Sequence, residues 1–248
     1  MQKNNLIGCD IEWLEDYISN IGADKRYAIK LLRWVYRKRI FDLGLINDIP
    51  RALLDEIAKN FDVGLFYPSE ILAGNDGSVK YLYQNDKNML FESVLMRAEK
   101  RNTLCVSSQS GCRMCCKFCM TGSIGFKGNL TSRDILNQLL AIPKSKEVNR
   151  IVIMGMGEPL DNSDEVLSAI RILTADWGCA FGKTNITLSS VGIIDELKRF
   201  LDAPPCNLAI SLHSPFRDER SDLMPIEKSN PIKEVVNLIK NNPLPKPL

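Results

Sequence analysis

The sequence predicts an α/β protein in which a small helical module and a β-hairpin precede four strand–helix units. Three observations carry this. Apolar residues recur at three-to-four spacing up to about residue 70, alternate between Asn75 and Met96, and fall into strand-then-helix runs after Thr103. The 248 residues are 45% apolar and 25% charged, as in an ordinary globular chain, which excludes disorder, collagen-like repeats and fibrous coiled coil.

The helical module spans residues 1–70. Ile11 to Ile21 and Tyr27 to Arg39 carry the helical period, and Asp48-Ile49-Pro50 punctuates before a third helix from Ala52 to Phe61. The second helix holds seven basic residues between Lys25 and Arg39 and no acid. Arg26, Lys30, Arg33 and Arg37 share one of its faces. A solvated face is the bland alternative. The functional reading is contact with RNA phosphates, with Trp34, Tyr36 and Tyr27 stacking on bases wherever their rings are exposed.

Residues 71–100 read as a hairpin linker. Val79, Tyr81 and Tyr83 alternate with polar neighbours, Asn85-Asp86-Lys87-Asn88 turns, and a second strand runs from Leu90 to Met96. From 101 to 248 strands are expected at Thr103–Ser108, Arg150–Met156, Thr184–Ser190 and Asn207–Leu212. Helices are expected at Ser132–Ile142, Ser163–Thr174, Ile194–Leu201 and Pro231–Lys240. Such alternation specifies a parallel sheet, open or curled into a barrel, with function on the loops that follow the strands.

The formal charge of +2 argues against a wholly basic nucleic-acid binder but permits a local basic patch. No run of about 18 apolar residues exists and the start has no signal-like pattern, so a cytoplasmic protein without membrane contact is expected. The eight cysteines are distributed unevenly: Cys105, Cys112, Cys115, Cys116 and Cys119 fall within fifteen residues. Crowding of this kind points to metal or redox chemistry rather than a disulfide framework.

Cys112, Cys116 and Cys119 have the spacing C-x3-C-x2-C on a short loop after the first barrel strand. A structural zinc site normally takes four protein ligands, whereas three cysteines on a [4Fe–4S] cluster leave one iron open for substrate. His213 or Cys115 could in principle complete a zinc site, and a zinc-stabilised RNA-binding protein is the alternative reading.

The three-cysteine loop, with an aromatic before its last cysteine, resembles that of the radical S-adenosylmethionine (SAM) superfamily. TLCVSSQSGCRMCCKFCMTGSIGFKGNL, IVIMGMGEPLDN and LAISLHSPFRDERSDLMP resemble, more narrowly, the RlmN/Cfr family of RNA adenine methyltransferases. The resemblance implies a partial (β/α) radical SAM barrel, with Cys112, Cys116 and Cys119 holding the cluster and S-adenosylmethionine chelated at its open iron. Gly157 and Glu158, Ser189, and Ser211, Leu212 and His213 match the family's cofactor contacts after successive strands. Taken alone, Ser189 and Ser211 read as strand-end caps and His213 as a structural residue.

The family methylates C2 of adenine in 23S ribosomal RNA and in tRNA by first methylating a C-terminal cysteine. Cys105 matches the cysteine that resolves the resulting protein–RNA adduct through a disulfide. Glu92, thirteen residues before it, matches the proposed proton acceptor at C2. A solvent-facing strand carboxylate and a buried strand thiol are the bland alternatives. A flavodoxin-type electron donor is the family expectation.

No cysteine follows Cys206, which lies in the loop before the fourth barrel strand. The methyl-carrying cysteine of the family is therefore not matched, and the chain reads as a truncated member. Cluster binding without completed methyl transfer is the expectation, a non-catalytic iron–sulfur or RNA-binding remnant the alternative, and the proline-rich end reads as an extended tail.

Overall fold

A computed structural model describes residues 3–242; the proline-rich segment 243–248 lies outside them. Three helices open the chain: α1 (Ile11–Asn20), α2 (Arg26–Arg33) and α3 (Arg51–Asn60). Asp10 caps α1, its carboxylate accepting from the backbone N–H groups of Glu12 and Trp13. Beyond α2 the helix widens into a π-turn over Trp34–Lys38 and stops at Arg39, whose backbone is left-handed (φ 57°). The apolar faces, among them Leu14, Ile18, Leu31, Leu32, Leu54 and Ile57, are fully buried.

One seven-stranded sheet follows. Its strands are β1 (Glu70–Ala73), β2 (Val79–Gln84), β3 (Leu90–Ala98), β4 (Arg101–Val106), β5 (Arg150–Ile153), β6 (Ile186–Ser190) and β7 (Asn207–Ile210). The strands lie in chain order, β1 to β4 pairing antiparallel and β4 to β7 parallel. The hairpin thus joins the parallel sheet through β3 and β4, and β1, which carried no sequence signal, extends it. Alternation places Tyr81, Tyr83 and Phe91 inward, with Tyr83 stacked on Phe91 at 5.4 Å.

Helices α5 (Ser132–Leu140), α6 (Ser163–Thr174), α7 (Ile194–Asp202) and α9 (Ile232–Asn241) fall where the periodicity puts them. Two shorter helices, α4 (Met120–Ile124) and α8 (Arg217–Leu223), lie in loops. Leu104, Val106, Ile151, Ile153, Ile186 and Leu188 on one sheet face share a continuous core with the inner faces of α5, α6 and α7. The opposite face carries the half-buried residues Cys105, Val152, Thr187 and Ser189. Among the described residues no helix is long and apolar enough to cross a membrane.

Candidate active site

The loop after β4 is built for close approach. Gly111, at φ +76°, packs so tightly against the end of α4 that a Cβ would stand 1.8 Å from the Gly125 carbonyl oxygen. Only glycine fits both the conformation and the space. Gly111→Ala is therefore expected to destabilise by about 2 to 4 kcal/mol, from backbone strain and overpacking together. Urea unfolding checks this; a loss below about 1 kcal/mol would show that the loop relaxes freely.

Further contacts fix the loop's path. The Lys127 N–H donates to the Ser110 carbonyl at 2.8 Å and the Lys117 N–H to the Leu223 carbonyl at 2.9 Å, while Lys117 pairs with Asp222. Arg113 lies over the Phe126 ring at 3.7 Å and reaches Asp161 at 3.3 Å. Cys115, exposed and left-handed at φ 51°, takes the bend between the thiols on either side.

Cys112, Cys116 and Cys119 then line one cavity of about 260 Å³, together with Gly157 and Glu158 after β5, Ser189 on β6, and Ser211 and His213 after β7. The cavity stands at the C-terminal ends of the parallel strands. The Phe118 and His213 rings meet across it with centroids 4.3 Å apart. Burial pushes the Cys112 thiol up to about 11 and raises Cys116 as well, each further disfavoured as a thiolate by the neighbouring acidic groups. A cationic centre supplies what such crowded thiols lack, a counter-charge for their ionised form.

Three thiols sharing one cavity are a donor set that a [4Fe–4S] cluster can use, with one iron left open. Zinc draws its ligand sulfurs to within about 4 Å of one another, given Zn–S bonds of about 2.3 Å. Among the described residues no three His, Cys, Asp or Glu side chains converge on a single ion. A four-iron cube spreads its three thiolates over a wider base. Of the two candidate fourth zinc ligands, His213 lines the same cavity as the three thiols and Cys115 does not.

Glu158 is buried and already committed. Its carboxylate accepts from the Ser190 hydroxyl at 2.6 Å and from the N–H groups of Val191 at 3.0 Å and Leu160 at 3.2 Å. Burial lifts its pKa to about 7 against the pull of those hydrogen bonds. The residue joins the ends of β5 and β6, a structural duty the sequence did not reveal. Gly157, at φ +102°, is required because a Cβ would meet Gln109 Cβ at 2.6 Å.

Not every candidate reaches this cavity. The Leu212 side chain points to solvent at 45% exposure, and only its carbonyl is engaged, accepting from Arg220 at 3.2 Å. Glu92 lines a second, larger cavity of about 740 Å³ with Ser110, Gly111, Met120 and Met156, and it pairs with Lys80 at 3.2 Å. Cys105 sits opposite Val94, two residues along β3 from Glu92, so both side chains stand on the same open sheet face. All eight cysteines are free thiols, so the disulfide implied for Cys105 is not formed here.

On the helical module Arg26, Lys30, Arg33 and Arg37 are all exposed on one side. The aromatic half of that expectation is overturned. Tyr36 is fully buried, its hydroxyl accepting from the Gly8 N–H at 2.9 Å, and Trp34 is 9% exposed, its indole N–H donating to Asp48 at 2.6 Å. These rings belong to the core, and Tyr27 is half-buried beneath Lys30.

Sequence reasoning also missed Arg220 and Gln109. Arg220 is fully buried, pairs with Glu227, and donates to the carbonyls of Val191 and Ser211 at 2.9 and 3.2 Å. It thereby ties the loops after β6 and β7 together. Gln109 accepts from the Glu158 N–H at 2.9 Å and donates to Asn129 and Asp161. Residues 106–246 match the radical SAM superfamily.

The chain belongs to that superfamily and, within it, to the RlmN family. It is 44% identical over 243 residues to the probable dual-specificity RNA methyltransferase RlmN of Parabacteroides distasonis, covering 97% of this chain and 70% of that protein. To the dual-specificity RNA methyltransferase RlmN of Geobacter sulfurreducens it is 34% identical, covering 96% and 66%. The crystal structure of a radical SAM methyltransferase from Sphaerobacter thermophilus superposes with a TM-score of 0.88 at 31% identity, covering 96% of this chain and 72% of that one. The three-thiol loop and the strands β5, β6 and β7 all fall inside the superfamily match.

Proposed function

We propose that this radical SAM protein is an RNA methyltransferase of the adenine-C2 type, with 23S ribosomal RNA and tRNA as its substrate class. The observation that carries the reading is the single cavity shared by three loop thiols and the ends of three successive parallel strands. Cys112, Cys116 and Cys119 would hold a [4Fe–4S] cluster, and Gly157, Ser189, Ser211 and His213 would line the place of S-adenosylmethionine. Bound there, the cluster supplies the electron that cleaves the sulfonium of S-adenosylmethionine.

The chain's own residues set the geometry around that chemistry. Glu158 acts through position: it fixes the turn after β5 against the end of β6, so the Gly157 backbone and the Ser189 hydroxyl face the same space. The backbone N–H and carbonyl groups near Gly157 are left to meet the amino-acid end of the cofactor. On the adjoining sheet face Glu92 is placed to accept a proton from a base lying in the larger cavity, and Lys80 holds its carboxylate. Cys105 presents its thiol to the same face, the place from which a sulfur could act on an enzyme-bound base.

Anaerobic reconstitution with iron and sulfide, followed by incubation with labelled S-adenosylmethionine and ribosomal RNA or tRNA, tests the reading. A brown protein that cleaves S-adenosylmethionine to 5′-deoxyadenosine supports it, and methylated adenine in the product would overturn the expectation that this chain stops short of methyl transfer. A colourless protein that binds zinc in place of iron would reject it.

A further inference from the structure

A second basic feature lies at the other end of the sheet. A cleft of about 500 Å³ opens between the helical module and the underside of the barrel, where β5 and β6 begin. Arg37 and Arg39 enter it from the π-turn, and Lys146 from the segment before β5. Ser145, Asn149 and Asn185 add polar groups, and no acid lines it. Three cations in one cleft exceed the +2 of the whole chain. Glu147, beside Lys146, is exposed but not part of the lining.

These cations are also free. Among the described residues Arg37, Lys38, Arg39, Lys144, Lys146 and Lys183 form no ion pair, although Lys117, Arg133, Arg171, Lys198 and Arg199 each do. Lys144 and Lys183 flank the cleft in sequence on the two barrel segments. Arg39 is held in place rather than loose: its guanidinium donates to Ser145 Oγ at 2.9 Å and reaches Cys179 Sγ at 3.5 Å. A fixed guanidinium between two uncommitted basic segments suits a run of phosphates, which Arg and Lys bind without reading bases.

We infer that this cleft, with Arg37 and Lys146 in its lining and Lys183 next in sequence to its lining residue Gly182, seats the phosphate backbone of RNA and anchors it away from the chemistry. The inference rests on the RNA reading above and adds where the backbone lies. The cleft opens at the N-terminal ends of the parallel strands and the cysteine cavity at their C-terminal ends, roughly 15 Å apart at about 3.3 Å per residue. A single nucleotide cannot occupy both. The substrate must therefore be an RNA of several nucleotides, long enough to span the module and the barrel, whose remote contacts help to hold the reacting base.

The test measures binding of a fluorescent RNA stem–loop by the full chain across a salt series. Lys146→Gln with Lys183→Gln removes two exposed charges without touching the core. The salt slope should fall by about 1.4 to 1.8 and affinity by roughly 30-fold near 0.1 M salt, equally for unrelated stem–loops. A control, Lys233→Gln with Lys240→Gln, removes the same charge from exposed positions on α9 and should change neither. If both double variants bind like the unaltered chain, the cleft is not the anchor and the RNA reading survives. If the unaltered chain shows no salt-dependent RNA binding, both fall together.

Discussion

Cys116→Ala, in protein reconstituted anaerobically, is expected to lose the brown colour, most of its bound iron and sulfide, and S-adenosylmethionine cleavage by more than about 100-fold. The scale follows from metal sites in general, where removing an outer partner of a ligand already lowers affinity or activity by about 10- to 100-fold. Cys116 stands closer than that. It is the central thiol of C-x3-C-x2-C, lines the same cavity as Cys112 and Cys119, and its carbonyl accepts the Cys119 N–H at 3.0 Å. Two thiols cannot hold three corners of a cube. Cys115→Ala provides the contrast, because that thiol is exposed and does not line the cavity, so iron content and cleavage should stay near the unaltered level. Iron analysis and the visible spectrum read both variants. Full cluster loading in Cys116→Ala would remove this residue from the ligand set.

The parts of the fold governed by periodicity were legible in the sequence, and so were the three thiols. Helix α6 falls on Ser163–Thr174 as its apolar spacing puts it, and β6 and β7 differ from expectation only at their ends. Spacing is local, and local patterns survive in a one-dimensional reading. What failed depends on partners distant in sequence. Trp34 and Tyr36 look like a stacking platform beside basic residues, yet Tyr36 is claimed by Gly8 and Leu6, some 30 positions away. β1 is exposed at every position, so it shows no alternation; only pairing with β2 makes it a strand. Glu158 resembles a free ligand within MGMGEP, but its carboxylate is held by Ser190 and Val191 from the next strand end. Arg220 was the least legible of all. It lies in the charged run RDER, where its neighbours are exposed, and nothing local marks it as the fully buried one.

Arg220→Met is expected to destabilise the protein by about 3 to 5 kcal/mol, the range for removing one partner of a buried ion pair. For a chain of this size that lowers the melting temperature by roughly 6 to 20 °C. The mechanism is specific. Arg220 and Glu227 have side-chain exposures of 0% and 1%, so loss of the guanidinium strands a carboxylate in the interior, with the Ile232 N–H at 3.0 Å as a remaining donor. The carbonyls of Val191, Ser211 and Leu212 lose their shared donor in the same step. A second change separates these two losses. Arg220→Met with Glu227→Leu removes the stranded charge but leaves the Val191 and Ser211 carbonyls without the Arg220 donor, each unmet bond being worth about 1 kcal/mol, while the Leu212 carbonyl keeps the Ser214 N–H at 2.7 Å. If the charge dominates, the double variant melts well above the single one; if the carbonyl clamp dominates, the two melt alike. Either result leaves the loops after β6 and β7 untied, and those loops carry Ser211 and His213 into the cysteine cavity. S-adenosylmethionine affinity should therefore fall in both variants, even in the one whose fold recovers. A single variant that melts within 1 °C of the unaltered protein would show that Arg220 neither holds the pair nor ties the strand ends.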